Sequence, residues 1–301
     1  MYMNMPEILN KYRTNFSFEF FPPKTEKSAH QLYKTIAELQ PLEPCYVSVT
    51  YGAGGTTRSL TRDLVIKIQR ETNIPVVSHL TCVGSTRDDI RALLKDYHDN
   101  GIHNVLALRG DPPEGQDSFV PEKEGFANGT ELVAFIRSEF PDMGIGVAGY
   151  PEGHPQTPNR LQELENLKKK VEAGADYICT QLFFHNHDFY DFRDRCELIG
   201  IDVPIVAGIM PVNSKKGMYR MADLAAGSRF PAKLLRFLYN AEDDEYVENV
   251  GIHWATSQVM DLLDNDVAGI HFYTLNKSEA SLRIYHSLGV TTSRKLREWS
   301  E

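Results

Sequence analysis

Eight short segments rich in β-branched and aromatic residues recur along the chain, at 16–21, 46–51, 76–82, 104–109, 144–150, 177–184, 204–210 and 269–275, and no other feature constrains the fold as strongly. Most read as apolar on both faces, as strands of a parallel sheet covered on both sides must be. Amphipathic helical stretches separate them. Ala29, Leu32, Tyr33 and Ile36 follow the i, i+3, i+4, i+7 spacing, Leu60, Leu64 and Ile68 recur at one-turn steps, and Leu161, Leu164, Leu167 and Val171 mark another stripe. Thr86 and Asp89 read as a capping box ahead of Ile90, Leu93, Leu94 and Tyr97. Gly101, Gly174, Gly200 and Gly269 each fall between a helical stretch and the next strand, where a helix-ending glycine is expected. No Pro/Gly/Ser-rich linker divides the chain. Eight βα units then favour a closed TIM (β/α)8 barrel, usually about 250 residues, over an open doubly wound sheet. The expectation is one α/β catalytic domain over residues 1–301, with 1–14 as an N-terminal extension or helix and one or two additional helices at 231–264 before the last strand.

The net charge of -9 offers no basic stripe, so a nucleic-acid role lacks its main source of affinity, and small-molecule chemistry is the default. No apolar run reaches the length of a membrane span, and residues 1–14 lack the pattern of a signal peptide. A cytoplasmic homo-oligomer is expected. Cys45, Cys82, Cys179 and Cys196 are widely spaced, which fits reduced buried thiols rather than a disulfide framework or a zinc site.

In a barrel of this kind the chemistry sits where the strands end. Those ends read Glu19 on the first strand, Thr50 and Tyr51 on the second, His79 on the third, Arg109 and Asp111 on the fourth, Tyr150 and His154 on the fifth, and Gln181 on the sixth. Glu19, inside Phe18-Glu19-Phe20-Phe21-Pro22-Pro23, has two readings of equal weight. Alternation can point its carboxyl into the barrel among aromatic rings, where burial raises its pKa toward that of a useful general acid, or it is an ion-paired or outward-facing structural glutamate. Residues 51–57 form a glycine-rich turn whose amides could bind an anion, although they do not fit a dinucleotide fingerprint. Arg109-Gly110-Asp111-Pro112-Pro113 sets a cation for a phosphate or ring carbonyl beside a carboxylate for a heterocycle's donor edge, the alternative being a mutual salt bridge that shapes the loop. Lys168, Lys169 and Lys170 either neutralise a pyrophosphate or form a solvated helix face. His185 and His187 are checked as metal ligands and read instead as a capping turn with Asp188.

Taken in order, Phe-Glu-Phe-Phe-Pro-Pro, Val-Ser-Val-Thr-Tyr-Gly-Ala-Gly-Gly, His-Leu-Thr-Cys, Leu-Arg-Gly-Asp-Pro-Pro, Tyr-Pro-Glu-Gly-His-Pro and His-Phe-Tyr-Thr-Leu-Asn resemble methylenetetrahydrofolate reductase, from about Phe16 to Val290. The resemblance implies a barrel holding FAD at its mouth, reduced by NADH or NADPH, which leaves before methylenetetrahydrofolate binds. It implies that Thr50, Tyr51, Ala53, His79, Arg109, Gly110, Asp111, Gly129, Tyr150 and His154 contact FAD, with Glu163, Asn166, Lys169 and Lys170 near its phosphates and adenosine. Glu19 corresponds to the general acid, and Glu19, Thr50, Asp111, Gln181 and Lys277 to folate-side positions. Gly129 stands where alanine is frequent, Gly217 and Met221 where well-known bacterial members carry glutamine and phenylalanine, and Lys277 where they carry arginine. The chain is expected to lack the regulatory domain of eukaryotic relatives, no metal is expected, and the role implied is methyl supply in one-carbon metabolism and methionine biosynthesis. Two other classes remain open, a metal-dependent barrel hydrolase and a folate-binding protein without redox chemistry.

Overall fold

In the computed structural model, which describes residues 3–51, 58–112, 115, 118–157, 159–225 and 227–299, eight parallel strands close into a barrel in sequence order. The strands are β1 (Asn15–Phe20), β2 (Tyr46–Val49), β3 (Val76–Thr81), β4 (Asn104–Leu108), β5 (Gly144–Gly149), β6 (Tyr177–Thr180), β7 (Ile205–Ile209) and β8 (Gly269–Tyr273). Twelve α-helices are present among the described residues: α1 (Met5–Lys11), α2 (Glu26–Leu39), α3 (Arg58–Thr72), α4 (Arg87–Asp99), α5 (Gly129–Glu139), α6 (Arg160–Glu172), α7 (Asn186–Leu198), α8 (Lys215–Leu224), α9 (Ala232–Tyr239), α10 (Asp244–Asp264), α11 (Glu279–Ser287) and α12 (Ser293–Trp299). β1 pairs with both β2 and β8, which closes the ring and removes every sheet edge. The helices expected at 231–264 are α9 and α10.

Alternation along each strand divides two environments. Phe16, Phe18 and Phe20 join the main apolar core; the rings of Phe16 and Phe18 each lie 6.3 Å from Tyr285 of α11. Ile270 and Phe272 of β8 and Ile145 and Val147 of β5 share that helix-facing layer. The opposite face is apolar only in part: Tyr46, Val77, Leu106 and Tyr177 form one layer of it, while Ser17, Glu19, Ser48, His79 and His271, all buried, make the rest polar. Such polar filling costs about 1–3 kcal/mol for each group left unbonded, and Ser17 and Ser48 offset part of it by bonding to the His271 ring at 2.6 and 3.1 Å. Glycines make room for the large rings inside the barrel. A Cβ on Gly146 would stand 2.6 Å from Tyr177 Oη, and one on Gly208 would stand 2.8 Å from the Tyr273 hydroxyl, which donates to Thr180 O at 2.6 Å.

The N-terminal segment closes the lower end of the barrel. Asn4 caps α1 in a reciprocal box with Glu7, Met5 N donates to Asn104 Oδ1 at 2.6 Å, and Met5, Ile8 and Leu9 pack with Tyr46, Val77, Leu106 and Tyr177. A second apolar cluster lies on the β6–β8 side, where Met218, Met221, Leu234, Leu238 and Val247 of α8 to α10 meet Leu182, Phe184 and Met210.

Several local expectations change. Gly101, Gly174 and Gly200 do adopt positive φ after α4, α6 and α7. Gly269 does not; it opens β8, where a side chain would meet Asn15 O at 3.0 Å, and the turn after α10 uses Asp266 at φ 54° instead. Leu60 and Leu161 are exposed first-turn residues, while Leu64, Ile68, Leu164 and Leu167 carry the burial. β6 ends four residues early; Gln181 N still donates to Gly149 O at 2.8 Å, and beyond it Leu182 and Phe184 pack into the second cluster while Phe183 joins the main core.

Candidate active site

At the C-terminal ends of the strands two cavities adjoin, sharing Leu108, Asp111, Ala148 and Tyr150. The central one, about 320 Å³, has Glu19, Thr50, His79 and Gln181 among its walls. The lateral one, about 650 Å³, runs outward between β4, β5, α5 and α6 past Arg109, Gly110, Gly129, His154, Glu163, Asn166, Lys169 and Lys170. Strand-end residues far apart in sequence therefore converge.

Glu19 is 5% exposed, and its neighbours differ from those expected of an aromatic nest. The flanking phenylalanines face the helices, and the carboxyl meets imidazoles, with Oε2 3.4 Å from His79 Nε2 and 3.7 Å from His271 Nε2. Burial lowers the pKa of His79, against the raising effect of Glu19, which keeps this imidazole neutral near pH 7. His79 Nε2 is a buried nitrogen with no hydrogen-bond partner. Cys179, also on the wall, is pushed up to about 12 by burial and so is a poor nucleophile. On the far side Leu182, Met210, Met221, Ala225 and Leu275 form an apolar wall. Gln181 Oε1 accepts from Leu182 N at 2.8 Å, which leaves its NH2 to donate to a ligand.

The lateral cavity gathers both charges, with Arg109, Lys169 and Lys170 beside Asp111, Glu131 and Glu163. Asn159 caps α6, and the lysine run splits by face: Lys168 pairs with Glu172 at 3.9 Å, while Lys169 and Lys170 turn to the cavity. Burial lowers the Lys170 pKa, and among the described residues no carboxylate lies within 4 Å of it. Arg109 does not pair with Asp111; its Nη2 donates to Gln156 Oε1 at 2.7 Å and its guanidinium lies 5.7 Å from the Phe119 ring. The salt-bridge reading of this loop is therefore not realised. Glu163 Oε2 accepts from His154 N at 3.0 Å, whereas its Oε1 is buried without a partner. Burial raises the pKa of Glu163 and lowers that of His154, and pushes Tyr150 up to about 12 with Asp111 adding to the rise. A Cβ on Gly129 would make only ordinary contacts, 3.7 Å from Arg109 N and from Lys170 Cε, so the missing methyl widens the groove without leaving strain.

Three expected positions stand apart. Tyr51 packs half-buried against the main core, Ala53 lies outside the described residues, and Lys277 is exposed beyond the end of β8. Leu275 and Asn276, both at positive φ, turn the chain there, and Asn276 bonds both N and O of Phe21 at 2.8 and 2.9 Å, so this motif pins β8 to β1. His185 Nδ1 accepts from His187 N at 3.2 Å, the capping turn expected, and among the described residues no three His, Cys, Asp or Glu side chains gather as a metal site. Sequence reasoning missed His271, although alternation with outward Ile270 and Phe272 directs it inward. It also missed Glu152, which is buried and accepts from Arg229 N and Nε, both at 2.9 Å, joining the loop after β5 to the segment before α9.

The sequence model of the family described as methylenetetrahydrofolate reductase matches residues 4–289. This chain belongs to that family. Among methylenetetrahydrofolate reductases, it is 43% identical over 300 residues to "Methylenetetrahydrofolate reductase (NADH) 1" of Arabidopsis thaliana, covering 96% of this chain and 50% of that one. It is 41% identical over 277 residues to the 5,10-methylenetetrahydrofolate reductase of Escherichia coli K12, covering 92% and 91%. The chain thus spans about half the length of its plant relatives and most of the bacterial one. In structure it resembles an uncharacterised Clostridium thermocellum protein that binds two copies of 5-methyl-5,6,7,8-tetrahydrofolic acid, with TM-score 0.67, 19% identity and coverage of 95% and 99%. That likeness bears on the fold. Among the described residues no helix is long and apolar enough to cross a membrane.

Proposed function

We propose that this chain, as one catalytic domain, reduces 5,10-methylenetetrahydrofolate to 5-methyltetrahydrofolate, with FAD as resident cofactor and NADH or NADPH as electron donor. The observation that carries the reading is a buried carboxyl, Glu19, in a central cavity that adjoins an elongated groove lined by the half-buried Lys170. The groove suits a dinucleotide on three counts: Lys170 feels Glu163 only at longer range and makes no close ion pair among the described residues, Glu163 Oε1 lacks a donor such as a ribose hydroxyl, and Gly129 leaves the floor open. Arg109, Lys169, Lys170 and Asn166 would hold the phosphates and adenosine, and His79, Tyr150 and Asp111 the ring system near the shared wall. Bound there, the flavin would relay a hydride from the nicotinamide to the folate.

The protein's own part is to place a proton. The methylene carbon bridges N5 and N10 of the folate and accepts hydride poorly until its bond to N10 breaks. A proton delivered to N10 by Glu19 releases that nitrogen as leaving group and leaves a 5-iminium carbon, which hydride then converts to the methyl group. Asp111 and the Gln181 NH2 orient the pterin, while the apolar wall from Leu182 to Met221 excludes water beside the cation.

The purified protein is expected to be yellow and to release FAD on denaturation. A colourless protein that takes up no FAD on reconstitution overturns the cofactor. In Asp111→Asn, removal of a negative charge near the ring system should make the flavin easier to reduce. About 1 kcal/mol of repulsion relieved corresponds to about 20 mV for a two-electron couple. Folate turnover should weaken at the same time. Dye-equilibrated potentials and folate kinetics that both stay at wild-type values would remove Asp111 from this role.

A further inference from the structure

His271, 2% exposed, is the central interior side chain of β8. Its Nδ1 lies 2.6 Å from Ser17 Oγ and its Nε2 3.1 Å from Ser48 Oγ, and the same Nε2 lies 3.7 Å from Glu19 Oε2. Strand register sets this arrangement, since Ser17 pairs with His271 on one side and Glu19 with Ser48 on the other. The Tyr46 ring stacks along the imidazole at 5.9 Å and 12°, and Tyr273 meets it edge-on at 5.4 Å, so the ring cannot turn without disturbing both neighbours. A branched aliphatic would fill such a layer at less desolvation cost. What the imidazole adds is a polar atom of fixed direction beside the carboxyl.

We propose that His271 is a positioning residue for the folate step: with Ser17 donating to Nδ1, the ring is held as its Nε2–H tautomer and directs that N–H between Ser48 Oγ and Glu19 Oε2. The Nε2 hydrogen bond goes to Ser48 Oγ at 3.1 Å, and the N–H dipole 3.7 Å from Oε2 disfavours a proton on that oxygen, which directs the acid proton of Glu19 to Oε1. The same donor favours the carboxylate form and sets the pH at which the acid is loaded. The titratable groups that face this cluster are Glu19 from β1, Tyr46 from β2, His79 from β3, Cys179 from β6 and Tyr273 from β8 itself. Burial holds the two tyrosines well above their ordinary values and Cys179 at about 12, so these three carry no charge near neutrality. The inference rests on the proposed role of Glu19.

The test compares His271→Leu, which removes the donor, with His271→Gln, whose amide can return one. A misdirected acid can cost up to about 10²-fold, so in His271→Leu the reaction with methylenetetrahydrofolate should fall roughly 10- to 100-fold further than flavin bleaching by NADH. Its pH limb should move upward, and His271→Gln should recover part of both. Equal slowing of the two steps, or an unmoved limb, overturns the proposal. If His271→Leu does not fold, Ser17→Ala keeps the ring and loosens the clamp; it should move the limb in the same direction, and an unmoved limb again overturns the proposal. Histidine 15N spectra of the wild-type protein without cofactor or substrate supply a readout independent of turnover. They should show His271 as the Nε2–H tautomer; the Nδ1–H tautomer overturns the assignment. A wild-type protein inactive on methylenetetrahydrofolate would refute the proposed function and with it the folate-step role, while the tautomer measurement would separately decide where the His271 N–H points.

Discussion

In Glu19→Gln, bleaching of the flavin by NADH should proceed at nearly the wild-type rate, while recovery of its colour on adding methylenetetrahydrofolate should slow by about 10² to 10⁴. The contrast follows from where a proton is needed. Reduction by the nicotinamide breaks no bond to a folate nitrogen, whereas opening of the methylene bridge leaves N10 as an amide-like anion unless it is protonated. Glutamine matches the shape of the 5% exposed carboxyl and can occupy the same place beside the two imidazoles, so binding geometry should persist and only the proton is lost. Stopped-flow mixing of each half-reaction measures the ratio. If both steps slow by the same factor, Glu19 is a structural residue, as one of its two sequence readings holds. If neither slows, another group supplies the proton.

The architecture was legible because it depends on apolar periodicity, which a single sequence carries openly. Eight apolar runs with amphipathic stretches between them leave few ways to bury both faces of the sheet, and the closed barrel is the one found. Direction was harder to read than position. The motif around Glu19 suggested a carboxyl among aromatic rings, yet strict alternation sends Phe18 and Phe20 to the helices and brings two imidazoles to the carboxyl from β3 and β8. No local pattern in β1 records that His79 and His271 face it, because those contacts are made only when the barrel closes. His271 illustrates the gap. Its motif was recognised as a string, but the role of each member depends on whether it points in, as His271 and Tyr273 do, or turns back, as Asn276 does to hold Phe21. The residues expected on the cofactor side are easier to bring together, since β4, β5 and α6 carry Arg109, Tyr150 and Lys170 to one groove through contiguous strand ends and one helix face. Lys277 was not, because two left-handed residues ahead of it carry the chain away from the cavity.

Gly251→Ala should lower stability despite improving the helix in which it sits. Alanine is favoured over glycine inside a helix by about 1 kcal/mol. Against this, α10 passes so close to the chain after β7 that a Cβ at 251 would lie 2.8 Å from Val212 N and Val212 C and overlap the Val212 carbonyl oxygen. These are backbone atoms and cannot rotate away, unlike the end of a flexible side chain. Overpacking of a fitted interior costs about 1–3 kcal/mol and more where nothing yields, so the clash should outweigh the gain in propensity. A net loss of about 1–2 kcal/mol corresponds to a fall in Tm of about 2–3 °C, since unfolding entropy is about 2.1 cal/mol/K per residue and the chain has 301 residues. Relief requires α10 or residues 210–212 to move, and Met210 belongs to the apolar wall of the central cavity. The folate KM should therefore rise, whereas FAD retention on the β4–β5 side should hold. Gly129→Ala is the control, because its Cβ meets neighbours at 3.7 Å and should leave Tm nearly unchanged. A Gly251→Ala protein as stable as wild type by calorimetry, with an unchanged folate KM, would mean that the α10 contact yields freely and does not set the wall of the site.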